Sequence, residues 1–210
     1  MNKNLTEIAV VFDRSGSMSR IMGDALGALN TFIDQQKEAP GKANFSLMLF
    51  DDRFEKIYDR TKIRSVDYIT PERCYARGMT ALTDALCMTI DDLGNRLRKT
   101  PEADRPAKVI VCVITDGLEN ASKEFNKEQL QEKIEEQKNK YSWEFVFMMA
   151  GSEDALKQQA DLTFGHTISV RNTVAFDSTA DGYTTSFANL GESMIKYRSG
   201  DATDMSIRNT

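Results

Sequence analysis

The sequence predicts one α/β domain in which helices cover both faces of a doubly wound, mostly parallel, six-stranded sheet. Short continuous apolar runs are typical of strands buried on both faces, and amphipathic segments that predict helices lie between them. The length of 210 residues suits one large domain, and 40% hydrophobic residues suffice to build its core. The alternation of strands and helices further predicts the strand order 3-2-1-4-5-6, with one antiparallel edge strand.

Six segments are predicted to form the strands. Three of them are continuous β-branched, aromatic and other apolar runs, which indicates burial in a parallel sheet. The segment 54–58 is more polar and follows a turn at Asp51-Asp52-Arg53, so we expect it to be the edge strand. The predicted strands comprise residues 8–12, 45–50, 54–58, 109–114, 145–150 and 167–170.

Apolar residues repeat at spacings of three and four between these strands, which predicts amphipathic helices. The segment 126–141 is far more polar, with Leu130 and Ile134 as its main anchors, and is predicted to be a solvated outer helix. The predicted helices comprise residues 18–33, 82–97, 126–141, 153–160 and 183–197.

No internal repeat, low-complexity stretch or linker divides the sequence. We therefore expect one domain over residues 1–198 and a polar C-terminal tail over residues 199–210. The 27 basic and 32 acidic residues give a net charge of −5, which argues against a nucleic-acid-binding protein because such proteins carry clustered basic residues.

The cysteines and the hydropathy indicate a cytoplasmic protein. Cys74, Cys87 and Cys112 are odd in number and lack a C-x-x-C spacing, so neither a disulfide framework nor a zinc site is expected. No apolar run approaches the roughly 18–20 residues that span a bilayer, and the N-terminus lacks a signal-peptide pattern. We expect no membrane association.

Polar residues follow the predicted strands at the point where ligands bind in such sheets. Asp13, Ser15 and Ser17 follow the first strand, and Asp116 follows the strand that should lie beside it. In open parallel sheets, ligands bind beyond the carboxyl ends of the strands where the strand order reverses. Thr80 precedes the second long helix, and its loop should reach the same edge.

These five residues offer two carboxylates and three hydroxyls, which are hard oxygen donors that suit Mg²⁺. The set contains no His or Cys, which argues against zinc. Because the hydroxyls are neutral, a bound cation should keep the capacity to capture an anionic oxygen. The simplest source of such an oxygen is an Asp or Glu side chain of a protein partner.

The segment D-R-S-G-S resembles the D-x-S-x-S motif of von Willebrand factor A (VWA) domains, which bind partners through a metal-ion-dependent adhesion site (MIDAS). The resemblance runs from the first predicted strand to the last predicted helix. It implies that Ser15, Ser17 and Thr80 ligate a metal directly, and that Asp13 and Asp116 act directly or through water. It also implies a Rossmann-like fold and a metal-dependent protein-interaction module, with Mg²⁺ as the expected ion and Mn²⁺ or Ca²⁺ as alternatives.

Two further segments refine the resemblance. T-D-G-L-E-N and T-A-L-T-D-A-L look most like small bacterial or phage members, such as the tellurite-resistance-associated group, which implies a stress-response role. Met79 departs from the family pattern, in which a second Gly is frequent at this point, and this bears on the flexibility of the loop.

Simpler interpretations exist for the same residues. Asp13, Ser17 or Thr80 would serve as helix caps, and Asp116-Gly117 is an ordinary turn pair. These simpler interpretations would require all of the residues to fall by chance on the correct strand ends and in the correct order, which argues against them as a set. Helix capping is also compatible with metal ligation.

Enzymatic alternatives have less support from the sequence. Ser15 or Ser17 with His166 would supply triad residue types, but G-x-S-x-G is absent and His166 is better explained as structural. The main alternative is a Mg²⁺-dependent phosphohydrolase that uses the same metal site, although no dedicated general base is evident. We therefore predict a protein that is not an enzyme.

Three charged residues near the predicted site have open roles. Arg14 either faces a partner's acid or is exposed and solvated. Asp84 and Glu119 either tune the charge of the site or belong to a helix first turn and a loop, respectively.

Overall fold

The computed structural model describes residues 1–152, 154, 158, 163–164, 172–205 and 207. It contains one six-stranded sheet in the order β3-β2-β1-β4-β5-β6. All neighbouring strands are parallel except β2 and β3, which form the antiparallel edge pair. The predicted fold class is confirmed. The strands are β1 (Asn2–Asp13), β2 (Lys42–Phe50), β3 (Phe54–Lys62), β4 (Pro106–Thr115), β5 (Glu144–Ala150) and β6 (Thr173–Phe176).

Four long helices cover the two faces of the sheet. A short 3₁₀ turn, Gly16–Arg20, leads from β1 into the first of them. The first and fourth helices share one apolar cluster with the sheet, and the second and third helices share the other. The helices are α1 (Met22–Glu38), α2 (Leu82–Lys99), α3 (Lys127–Tyr141) and α4 (Ala180–Ser199).

The central strand β1 shows why its sequence is a continuous apolar run. Val10 and Phe12 pack against α1 and α4, whereas Ala9 and Val11 pack against α2 and α3. Successive side chains of a strand point to opposite faces, and here both faces are covered by helices. Burial of both faces fixes the position of the carboxyl end of β1.

The helix ends follow from local sequence. Asn126 and Gln129 form a reciprocal capping box at the start of α3, and Ser142 ends the helix in the left-handed conformation. Leu130 and Ile134 are fully buried, as predicted for the anchors of this otherwise polar helix. Gly200 ends α4 in the left-handed conformation.

The predicted strand 167–170 lies outside the described residues, and so does most of the predicted helix 153–160. The sixth strand of the sheet is Thr173–Phe176. In the segment predicted to be a polar tail, Met205 and Ile207 are buried in the apolar cluster beside α1 and α4. The division at residue 198 stays a prediction.

The three cysteines are free and buried. Among the described helices, none combines the length and the apolar character needed to cross a membrane.

We expect Gly182→Ala to destabilise the protein, although a Gly to Ala change inside a helix usually stabilises it. A Cβ atom at Gly182 would lie 2.1 Å from the backbone oxygen of Asp177, so the chain must shift to accept it. The free energy of unfolding in urea should fall by about 1–3 kcal/mol. The matched control is Gly27→Ala in α1, where no atom lies within 4 Å and a gain of about 0.5–1 kcal/mol is expected. Equal gains in both variants would contradict the close approach.

Candidate metal centre

The two predicted carboxylates lie together because the strands before them are neighbours. Phe12 pairs with Ile114 across the parallel β1–β4 pair, so Asp13 and Asp116 both follow at the same edge of the sheet. The Thr115 hydroxyl bridges the two strand ends by donating a hydrogen bond of 2.5 Å to Asp13 Oδ2.

A continuous series of hydrogen bonds connects four of the five predicted residues. Ser15 donates its backbone N–H to Asp13 Oδ1 at 2.6 Å. The Ser15 and Ser17 hydroxyl oxygens are 3.0 Å apart, and the Ser17 hydroxyl donates to Asp116 Oδ1 at 2.6 Å. Asp13 is fully buried, whereas Ser17 lies at the surface. The first loop and the end of β4 therefore form one polar unit.

Thr80 reaches this unit from a separate loop. Its backbone N–H donates to Asn120 Oδ1 at 2.9 Å, and its carbonyl accepts from the N–H of Asn120 at 3.0 Å. The neighbouring Gly78 carbonyl accepts from the N–H of Gly16 at 3.1 Å. These bonds attach the Thr80 loop to both of the other loops at the site.

Three oxygens from two loops face a common point beside Gly117 of a third loop. A Cβ atom built on Gly117 would lie 3.1 Å from Thr80 Oγ1, 3.5 Å from Ser17 Oγ and 3.8 Å from Asp13 Oδ2. We call this arrangement of Asp13, Ser17 and Thr80 oxygens around Gly117 the oxygen cradle. The side chain of any other residue would place its Cβ atom at this point, in tight contact with Thr80 Oγ1.

The electrostatics of the site favour a cation. Burial raises the pKa of Asp13 to about 6, although hydrogen bonds from Thr115 and Ser15 oppose the shift and the Asp116 charge adds to it. Burial also raises the pKa of Asp116. Two partly desolvated carboxylates close together are costly to ionise unless a positive charge offsets them.

The donor set fits a hard divalent cation. Carboxylate and hydroxyl oxygens are the ligands that suit Mg²⁺, Mn²⁺ and Ca²⁺. Across the described residues, no group of three or more His, Cys, Asp or Glu side chains is arranged to hold a metal, so the hydroxyls would have to complete the coordination.

Asp51 connects the loops of the site, a role that the sequence analysis did not predict. It is fully buried, and its Oδ2 accepts from Arg14 Nε at 3.1 Å and from Arg77 Nε at 2.6 Å. Its Oδ1 accepts from the N–H of Arg53 at 2.6 Å. Both predicted roles of Arg14 are wrong. The side chain is 1% exposed, and its second carboxylate partner is Glu55 at 2.7 Å.

Asp84 connects the loop after β4 to the start of α2 through hydrogen bonds. Its carboxylate accepts from the backbone N–H groups of Lys123, Glu124 and Phe125. Hydrogen bonds from backbone N–H groups to a carboxylate are strong, and these hold the loop against the helix. Asp84 is therefore a positioning residue in the first turn of α2.

Glu119 makes a second connection in the same place. It accepts from the N–H groups of Thr83, Ala121 and Ser122, and from the Ser122 hydroxyl. Asp84 and Glu119 therefore hold the loop that carries Asn120, the residue that bonds to Thr80.

The alternative nucleophilic site is not assembled by the described residues. Ser15 and Ser17 contact each other, and Ser17 donates to Asp116. His166 lies outside the residues that the structure describes.

No family model and no curated protein sequence matches the chain. Solved structures do match. A von Willebrand factor type A structure from Catenulispora acidiphila matches 90% of this chain and 42% of its own, with a TM-score of 0.58 and 14% identity. The chain has a VWA fold.

Two other VWA-fold structures with similar scores carry metals. Manganese-loaded TRAP protein from Plasmodium vivax matches 85% of this chain and 70% of its own, with a TM-score of 0.58 and 16% identity. Proximal thread matrix protein 1 from the mussel byssus, with a zinc-occupied MIDAS motif, matches 90% of this chain and 46% of its own, with a TM-score of 0.57 and 16% identity. The chain spans less than half of the byssus and Catenulispora proteins.

The raised pKa of Asp13 predicts that the stability of the metal-free protein depends on pH. The pKa of Asp13 is about 6 in the folded state, whereas the ordinary value for an Asp side chain is 3.8, so between these values the folded state binds more protons than the unfolded state. The free energy of unfolding in EDTA should therefore fall as the pH rises from about 4 to 6, by up to about 3 kcal/mol from this group. The measurement is urea denaturation at a series of pH values.

The control for this prediction is Asp13→Asn, which has no titrating carboxyl. The difference in unfolding free energy between wild type and variant isolates Asp13 from the other acids. A difference that does not change with pH across this window would contradict the raised pKa.

Proposed function

We propose that the chain is a divalent-metal-dependent protein–protein interaction module with an intact MIDAS. The proposed ligands are Asp13, Ser15, Ser17, Thr80 and Asp116. The observation that carries the proposal is the oxygen cradle, in which Asp13 and Ser17 of the first loop and Thr80 of a second loop face one point beside Gly117 of a third. Helix capping or turn formation alone would not require these oxygens to converge.

The proposed roles follow from the donor types. The hydroxyls of Ser15, Ser17 and Thr80 ligate the ion directly, and Asp13 and Asp116 act directly or through water. Mg²⁺ is the proposed ion because all donors are hard oxygens, with Mn²⁺ or Ca²⁺ as alternatives. The metal-loaded VWA-fold structures support a divalent ion in general. When bound, the cation supplies a positive centre for an anionic oxygen from outside.

The proposed module binds an Asp or Glu side chain of a protein partner. We propose that this takes place in the cytoplasm and that the module binds neither a nucleic acid nor a membrane. The net charge of −5 supports this choice against nucleic acid, and an acidic side chain needs a cation to approach such a surface. The segments T-D-G-L-E-N and T-A-L-T-D-A-L support placement among small bacterial or phage members such as the tellurite-resistance-associated group, with a stress-response role.

The phosphohydrolase alternative has weaker support, and we propose that the chain is not an enzyme. Asp13 is held by Ser15 and Thr115, and Asp116 is held by Ser17. Among the described residues, no further His, Cys, Asp or Glu side chain joins these two in a group that could hold a metal.

We expect Gly117→Ala to weaken Mg²⁺ and Mn²⁺ binding at least about tenfold, because its methyl group would occupy the oxygen cradle. Isothermal titration calorimetry with each metal measures the affinity, and circular dichroism checks the fold. Gly27→Ala is the control, since it adds the same methyl group on α1 and should leave the affinity unchanged. Unchanged affinity in Gly117→Ala would place any bound metal elsewhere.

We expect partner binding to require both the metal and the serine hydroxyls. The experiment is a lysate pull-down with wild type and with the double variant Ser15→Ala, Ser17→Ala, each in Mg²⁺ and in EDTA. Partners captured by wild type in Mg²⁺ should be lost from the double variant and from all EDTA samples. Partners that persist in EDTA would contradict the proposal, and Mg²⁺-dependent hydrolysis of p-nitrophenyl phosphate by wild type would favour the phosphohydrolase.

A further inference from the structure

Two large apolar side chains border the oxygen cradle and face solvent. Met79 directly precedes Thr80 and is 54% exposed, and Leu118 directly follows Gly117 and is 49% exposed. We call Met79 and Leu118 the apolar rim. In the part of the chain that the structure describes, they belong to a short set of exposed large hydrophobic residues: Met1, Tyr68, Tyr75, Met79, Leu118 and Tyr141.

The backbone of the two loops determines that the Met79 and Leu118 side chains are exposed. The loops on both sides are fixed, since the Gly78 carbonyl accepts from Gly16 and the Thr80 carbonyl accepts from Asn120. The backbone therefore holds the two apolar side chains outward, on the two loops that enclose the cradle. Exposed apolar groups next to a polar centre are typical of interaction sites.

A cavity of about 340 Å³ lies beside Leu118 and extends the apolar rim. Phe125 contributes a second apolar wall. The polar groups of Glu119 and Ser122 that line it are already paired, because Glu119 accepts from three backbone N–H groups and from the Ser122 hydroxyl. Thr83, Lys127 and Thr163 also line the cavity, so it offers an incoming side chain both apolar contact and polar neighbours.

The size and charge of this surface restrict the partner. The area offered by two exposed side chains and one small cavity is far smaller than the roughly 800 Å² that each partner buries in a stable dimer. A short peptide segment is therefore the favoured partner. The chain carries a charge of −5, and the candidate metal centre already holds the carboxylates of Asp13 and Asp116, so an acidic cluster would be repelled. A single carboxylate with apolar neighbours avoids this repulsion and covers the rim.

Resting on the proposed MIDAS function, we propose that the partner segment presents one Asp or Glu flanked by apolar side chains, which contact Met79 and enter the cavity beside Leu118. The carboxylate supplies the metal-dependent part of the affinity, and the flanking residues supply the selectivity.

A small set of fluorescein-labelled peptides tests the proposal by fluorescence polarisation. Each peptide has a central Glu, flanked on both sides by two Leu, two Ser or two Glu residues, and a fourth has a central Gln flanked by Leu. In Mg²⁺, wild type should bind the Leu-flanked Glu peptide about tenfold more tightly than the Ser-flanked or Glu-flanked peptide, and EDTA should abolish binding. The Leu-flanked Gln peptide should not bind.

The variants Met79→Ser and Leu118→Ser should lose this preference and keep the Mg²⁺ affinity of wild type, measured by calorimetry. The matched control is Tyr141→Ser, which removes an exposed apolar side chain from the end of α3 and should change nothing. If Mg²⁺ does not bind, the proposed function fails. If Mg²⁺ binds and the Leu-flanked and Ser-flanked Glu peptides bind equally, the apolar rim has no role and this inference alone fails.

Discussion

The parallel pairing of β1 with β4 is the constraint on which the candidate metal centre depends. Val11 lies opposite Val113 and Phe12 opposite Ile114, so the two strands end at the same level. The hydrogen bond from Thr115 to Asp13 then spans 102 residues of sequence. A slip of one residue would turn every side chain of β1 to the other face, and both faces are buried. The hydrophobic core therefore fixes where the carboxylates meet.

The sheet places the strand ends, but Asp51 joins the loops that follow them. It pairs with Arg14 in the first loop and with Arg77 in the loop that carries Thr80. Its carbonyl also accepts from the N–H of Ala81. Loss of one partner from a buried ion pair typically costs about 3–5 kcal/mol, because the other charge stays buried without compensation. Separation of these loops would break bonds to a fully buried carboxylate, so the oxygens are held in place before any ligand arrives.

The sequence could predict those features that depend on periodicity and on strand ends. The buried runs, the four long helices and the positions of Asp13 and Asp116 beyond two strands follow from local pattern together with the rule for parallel sheets. The environment of Arg14 could not be predicted, because its partners Asp51 and Glu55 lie on another strand and its turn. Asp84 was expected in a helix first turn, but its three bonds to a loop about forty residues away depend on tertiary structure.

Hydroxyl groups suit this site because each has one donor and two acceptor lone pairs. Ser17 donates its one proton to Asp116, accepts from Ser15 and still has a lone pair for a cation, so the bond that orients it need not break on binding. In the proposed site, neutral donors would also leave a bound ion with positive charge for an external carboxylate. That attraction grows as water is removed, because it varies inversely with the local dielectric constant. In the proposed complex, a partner would displace water from the exposed side chains of Met79 and Leu118. The apolar contact made there would strengthen the contact between the metal and the partner's carboxylate beside it.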